Sequence, residues 1–201
     1  MPTIGITGNF GMGKTTVLSM FRKLGAYTFN IDKFVHVLLT RPQTKKKIVH
    51  ALGEGILIKR SKNISISKAR VANIIFNDSD KRKAIETIIH SQVLKIIKAT
   101  ALKISKKNPS ALIVFEVPLL FEAGYEKYFD ATIVVRCNRN VAINRLINKG
   151  FTEDNAKKRL LAQMPITKKE KLADFVINNN RGIRQTWKQA KRIFQKIQRI
   201  S

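Results

Sequence analysis

The sequence predicts an α/β fold in three layers, a five-stranded parallel sheet with helices on both faces. Three observations carry that prediction. An apolar strand runs into a glycine-rich loop and then a helix at the start of the chain. A second buried strand follows that helix and closes a strand–helix–strand unit of parallel sense. Three more short apolar runs recur downstream, separated by helical periodicity.

Residues 3–7 form the first predicted strand, and Val17, Leu18, Phe21 and Leu24 give the helix after the loop its buried stripe. Gly25 stands where such a helix ends. Residues 27–31 read as the second strand, with Asp32 at the start of another helix. From residue 67 to 104 the pattern is helical: Ile85, Ile88, Ile89, Val93, Ile96, Ile97, Ala101 and Ile104 fall at steps of three and four. A helical block between strands reads as an inserted substrate-binding subdomain or lid. Residues 111–115 are a continuous apolar run that ends in Glu116, Val117 and Pro118, a buried strand stopped by proline. Residues 131–135 make another. Helices are predicted over 141–146 and 152–164, and Thr167 to Glu170 matches a capping box at a helix start. Residues 175–177 are the last strand, and Ile183, Trp187, Ala190, Phe194 and Ile197 line a closing amphipathic helix.

The loop, Gly8-Asn9-Phe10-Gly11-Met12-Gly13-Lys14-Thr15, satisfies G-x-x-x-x-G-K-[ST] at every fixed position. Its glycines let the backbone curl so that N–H groups face the phosphates of a nucleotide, and the helix start adds its positive dipole end. Lys14 supplies a cation to the β- and γ-phosphates, the Thr15 hydroxyl completes a Mg²⁺ shell, and Thr16 supports the loop through its N–H. The strand before and helix after are the context this motif requires, so Gly8, Gly11, Met12, Gly13, Lys14, Thr15 and Thr16 are the predicted nucleotide-binding residues of a P-loop NTPase fold. Asp32, just past the second strand, should face the same crevice, where a carboxylate can take an acceptor's proton or orient the Mg²⁺ shell. A plain helix N-cap is the bland alternative for it. Glu116 ends a buried strand where many P-loop proteins place an acid that contacts Mg²⁺ through water; a structural carboxylate is the competing reading.

The chain resembles the dephospho-CoA kinases over almost its whole length. The likeness rests on the P-loop from Gly5 to Thr16; on Asn30-Ile31-Asp32 with His36; on residues 67–78 with Ile88-Ile89-His90; on Val117-Pro118-Leu119-Leu120-Phe121-Glu122; and on Arg145-Leu146, Gln163, Lys171 and Ala173-Asp174 through Asn179. The resemblance implies ATP-dependent phosphorylation of the ribose 3′-hydroxyl of dephospho-CoA, the last step of coenzyme A synthesis, with ATP and Mg²⁺ as cofactors. It implies a core over about residues 1–40 and 108–201, a helical CoA-binding insertion over about 41–107, and a lid over about 139–165. Asp32 inherits a proposed general-base role, and Arg145 that of a lid-side arginine on the phosphates, catalytic together with Lys14. Asn179 joins the nucleotide-binding set, and His90, Leu119, Leu120 and Phe121 the substrate-binding set.

Several positions depart from the family pattern. The first aspartate of Asp-x-Asp is Asn30, which puts any role needing two carboxylates in doubt. The usual Gly-Gly-Ile-Gly-Ser-Gly loop reads Gly-Asn-Phe-Gly-Met-Gly here, an arginine at the start of the inserted helical segment is Lys68, the proline after His90 is Ser91, and a second lid arginine is Lys149.

Length and composition narrow the classes. A chain of 201 residues with 44% hydrophobic and 26% charged residues suits one soluble domain with a small insertion. No stretch reaches the eighteen or so apolar residues of a membrane span. The opening residues lack the pattern of a secretory signal. One cysteine, Cys137, excludes an internal disulfide and a cysteine-based zinc site, and His36 and His50 lack partners at metal-ligand spacing. A cytoplasmic monomer is expected. The net charge of +26 could serve nucleic acid or small polyanions, but the basic residues are spread over the chain, with no recognisable nucleic-acid module and few interleaved aromatics, so no nucleic-acid partner is expected. Lys157, Lys158 and Arg159 read equally as a lid's basic face or a solvated one, and Arg136 and Arg139 as surface charge. Rival readings are a nucleoside monophosphate kinase, opposed by residues 118–122 and the helical insertion, a basic nucleic-acid-binding ATPase, and a non-catalytic nucleotide switch that Asn30 leaves open.

Overall fold

A computed structural model describes residues 1–60 and 63–200. Its strands are β1 (Thr3–Thr7), β2 (Tyr27–Asn30), β3 (Leu57–Arg60), β4 (Asn63–Ile66), β5 (Ile113–Glu116), β6 (Ala131–Arg136) and β7 (Phe175–Asn178). Its helices are α1 (Lys14–Lys23), α2 (Ile31–Thr40), α3 (Pro42–Leu52), α4 (Lys68–Asn77), α5 (Ser79–Ser105), α6 (Arg139–Ile147), α7 (Glu153–Leu161), α8 (Ile166–Leu172) and α9 (Ile183–Ile200). The chain divides into two units, Met1–Ile31 with Ala101–Ser201, and Asp32–Thr100.

In the first unit the apolar runs pair as a parallel sheet in the order β2-β5-β1-β6-β7, as the alternation of strands and helices predicts. β1 is central, so it is buried on both faces, which is why it reads as a continuous apolar run. Ile4, Ile6, Val114, Ile133, Val135 and Ile177 meet Val17, Leu18 and Phe21 of α1 and Ala190, Phe194 and Ile197 of α9 in one core. On the other face the chain comes so close that a Cβ on Gly5 would stand 2.4 Å from Leu120. Phe29 stacks on Phe115 there and Phe115 meets Phe129 at a tilt, with ring centroids 5.4 and 5.9 Å apart. The order in which successive strands are added reverses beside β1, and the loop after β1 opens at the strands' carboxyl ends.

α1 ends as its sequence predicts. Ala26 N–H bonds to the Phe21 carbonyl and Gly25 N–H to that of Arg22, a Schellman closure that needs the left-handed Gly25 at φ 101°. Thr152 caps α7 by accepting from Asn155 N–H, and Glu153 and Asp154 fill the first turn. Thr152→Ala should therefore lower the unfolding free energy by about 1 kcal/mol, read from a denaturant titration. The capping box at Thr167 is a correction: α8 starts at Ile166 behind Pro165, no side chain caps it, and Thr167 lies inside the first turn. Proline there fixes the chain's entry, so the motif's spacing matches without its hydrogen bonds.

The second unit is more than helical. β3 and β4 pair antiparallel, Leu57 opposite Ile66, in a stretch where no strand is predicted. Ile48, Leu52, Ile56 and Ile85 form this unit's core with Val71, Ile74, Ile88 and Ile89 at its edge. The helical stretch from residue 67 is two helices, broken at Asp78. The Asp78 carboxylate accepts the Asp80 and Lys81 N–H groups, and the Lys81 backbone donor holds its pKa below the usual carboxylate value. The apolar stripe falls within α5, where Ile85, Val93, Ile97 and Ile104 are buried.

Candidate active site at the phosphate-binding loop

The loop after β1 adopts the backbone its glycines permit. Gly13 sits at φ 92° as the N-cap of α1, and no side chain caps that helix. A Cβ there would stand 2.1 Å from the Asn179 amide nitrogen. Asn179 is itself buried, donating to the Met12 carbonyl at 2.9 Å and accepting from the Thr186 hydroxyl at 2.9 Å, so it braces the loop from the end of β7. Arg145 comes from α6, donates through Nη2 to the Asn179 carbonyl at 3.0 Å, and lies with Nη1 3.6 Å from the Cβ position of Gly13. That Nη1 is buried and has no hydrogen-bond partner among the described residues. A buried guanidinium donor without an acceptor is costly to leave so, and an anion is its natural complement.

Lys14 is folded back over the loop, its ammonium donating to the Gly8 carbonyl at 2.9 Å and the Asn9 carbonyl at 3.1 Å. The Thr15 hydroxyl lies 3.2 Å from both oxygens of Glu116, a buried carboxylate at the end of β5. Glu116 pairs in register with Asn30 of β2, whose amide donates to it at 2.9 Å. The departure at Asn30 therefore supplies a donor where an aspartate would place a second negative charge. Hydroxyl beside carboxylate is an oxygen set of the kind a hard divalent cation takes, directly or through water.

Three segments close over the start of the loop. Phe10 N–H donates to the Gln163 side chain at 2.7 Å, and the Asn9 amide to the Met164 carbonyl at 3.1 Å. The Phe10 ring meets Phe151 edge-on, and the Arg159 guanidinium lies 5.2 Å from each centroid. Arg159 thus differs from its neighbours on α7: Lys157 makes a 2.6 Å pair with Glu153. Glu122 accepts from Lys169, a lysine with no exposed side chain, at 2.7 Å. Nothing in the sequence singles Lys169 out from the lysines around it.

The other predicted positions distribute as follows. Met12 is buried among Cys137, Ala142, Leu146 and Leu160, and offers the site its backbone. Thr16 is exposed on α1. Leu120 is fully buried, Phe121 nearly so, and Leu119 half exposed. Asp32 and His90 belong to the second unit, Asp32 in the first turn of α2 and His90 half-buried on α5. Arg136 pairs with Glu170 at 3.4 Å. Burial pushes the Cys137 thiol pKa up, with Arg145 and Arg136 opposing. Among the described residues no group of three or more His, Cys, Asp or Glu side chains could hold a metal by itself.

A five-stranded parallel sheet with this loop at the end of its central strand, a lysine and threonine opening α1, and a buried acid on the next strand define a P-loop phosphotransferase fold. The dephospho-CoA kinase family profile matches residues 2–185, and the chain belongs to that family. A dephospho-CoA kinase of Aquifex aeolicus is 37% identical over 201 residues, 99% of each chain. A crystal structure from Thermus thermophilus aligns with a TM-score of 0.81 at 25% identity, covering 98% of this chain and 97% of its own. The dephospho-CoA kinase from Campylobacter jejuni aligns with a TM-score of 0.69 at 25% identity, over the same shares. The family carries out the final step of coenzyme A biosynthesis.

Proposed function

We propose that this chain transfers the γ-phosphoryl group of ATP to the ribose 3′-hydroxyl of dephospho-CoA, releasing ADP and coenzyme A. The observation that carries this reading is the buried, unpartnered Nη1 of Arg145 beside the glycine loop, where a transferring phosphoryl group would complete it. Lys14 leaves the loop carbonyls for the β- and γ-phosphate oxygens, and the first-turn amides of α1 point the same way. Thr15 would hold Mg²⁺ directly and Glu116 through water, with Asn30 steadying Glu116. Held there, Mg²⁺ would supply charge neutralisation for the phosphate oxygens during transfer. The bond from the γ-phosphorus to its bridging oxygen breaks as one to the ribose oxygen forms, and Asp32 takes the hydroxyl proton.

The insertion over residues 41–107 serves as the CoA-binding region, with His90 in it, and residues 139–165 as the lid. Leu119 and Phe121 contribute to the acceptor site, with Leu120 packed beneath them. The reading includes a monomer in the cytoplasm, a reducing compartment that a lone Cys137 suits. ATP consumption with Mg²⁺ should appear only when dephospho-CoA is present, with a product heavier by one phosphoryl group in mass spectrometry. Stimulation by a nucleoside monophosphate or single-stranded DNA instead would overturn the acceptor assignment.

A further inference from the structure

The most buried charge in the first unit takes no part in the mechanism above. Lys169 has no exposed side-chain surface, and its ammonium meets two acceptors: Glu122 at 2.7 Å and the Pro118 carbonyl at 3.4 Å. Both lead to the start of the phosphate loop. The Glu122 oxygen that pairs with Lys169 also accepts Met164 N–H at 3.1 Å, and the carbonyl of Met164 accepts the Asn9 amide. The Pro118 carbonyl accepts the hydroxyl of Thr7, the residue just before Gly8, at 3.0 Å. Asn9 is buried, and its Oδ1 has no partner among the described residues.

A buried ion pair of this kind adds little stability over apolar side chains of the same volume, because desolvation offsets the Coulomb attraction. What it supplies is orientation. Without the ammonium, Glu122, already about one-fifth exposed at 22%, is free to turn to water, and Met164 N–H loses its acceptor. The carbonyl on which Asn9 hangs is then no longer fixed. The family's usual loop has glycine at position 9, with no side chain to be held, so this tether belongs to the Asn9 of this chain.

We propose that Lys169 is a positioning residue for nucleotide binding, setting the phosphate loop through Glu122, the Met164 peptide and Asn9. The proposal rests on the reading that the loop holds a nucleotide, and not on the identity of the acceptor. Lys169 and Asn9 share this relay, so their substitutions couple if it operates and act independently if Lys169 merely fills space.

The test is a double-mutant cycle on ADP affinity, measured by calorimetry with Mg²⁺. Lys169→Met should raise the ADP Kd about tenfold, Asn9→Gly about threefold, and the double variant no further than Lys169→Met alone. A folded Lys169→Met protein with native affinity, or single effects that multiply, would overturn the proposal. Should Lys169→Met fail to fold, Glu122→Leu with Lys169→Met removes the charge pair and the acceptor of Met164 N–H at similar volume. Loss of ADP affinity in that folded pair supports the relay, and native affinity overturns it. A wild-type chain that turns over another acceptor but gives this cycle would refute the dephospho-CoA reading alone. A wild-type chain that does not bind ADP would overturn both.

Discussion

Asp32→Asn is expected to lower turnover about a thousandfold, while ADP affinity stays within about twofold of the native value. The substitution keeps the size and much of the hydrogen-bonding shape of the side chain and removes its basicity. A general base acts on the acceptor's proton, so its loss falls on the transition state and not on the bound nucleotide. Asp32 stands two residues beyond Asn30, which is fixed to Glu116 by the β2–β5 register and a 2.9 Å hydrogen bond. Lys14→Ala is the contrasting variant. On the proposed reading its ammonium would serve both bound and transferring phosphates, so affinity and turnover should fall together, affinity by about tenfold or more. Both are read from ATP consumption with dephospho-CoA and from ADP calorimetry. An Asp32→Asn protein that loses ADP affinity and turnover in parallel would assign Asp32 a structural or metal-positioning role. Unchanged turnover in Lys14→Ala would sink the assignment of the loop.

The parts of this site that were legible in the sequence are those in which one local requirement dictates residue type. Residues 8–15 are fixed by backbone conformation and charge within a few positions of each other, so the motif carries its geometry with it. Of the five parallel strands, β1, β5 and β6 were legible because a strand buried on both faces is predominantly apolar. The β3–β4 pair was not: Leu57-Ile58-Lys59-Arg60 and Asn63-Ile64-Ser65-Ile66 are four residues each in a basic stretch, too short and too mixed for a period to stand out. Lys169 was invisible for another reason. Burial of a charge is decided by a partner distant in sequence, here Glu122, and Lys168, Lys169 and Lys171 are alike until the fold separates them. Asn30 was legible as a departure but not in its consequence, because its value lies in the acid that strand pairing brings opposite it. Thr167 shows the converse, a motif with correct spacing whose helix starts two residues too early to use it.

Gly8→Ala should destabilise the first unit by about 3 kcal/mol or more and abolish measurable ADP binding. Gly8 lies at φ 147°, a backbone that side chains rarely adopt, and an added Cβ would stand 2.2 Å from the carbonyl oxygen of Val135. That oxygen is main chain near the carboxyl end of β6, not the tip of a side chain that could swing away. β6 is held on one side by β1, with Thr7 opposite Val134, and on the other by β7, with Val135 opposite Ile177. Relief must come from the loop, which would lift from the strand and carry the amides of its own phosphate cradle with it. Gly150 separates the two contributions: it also has a positive φ, 88°, but a Cβ there would meet nothing within 4 Å. Gly150→Ala should thus cost only the conformational strain, about 1 kcal/mol, and leave ADP affinity unchanged. Thermal unfolding and ADP calorimetry on the two variants decide the matter. Equal losses of stability would assign the whole effect at Gly8 to backbone strain. A Gly8→Ala protein that melts and binds ADP like the native chain would mean that the loop can leave β6 without losing its shape.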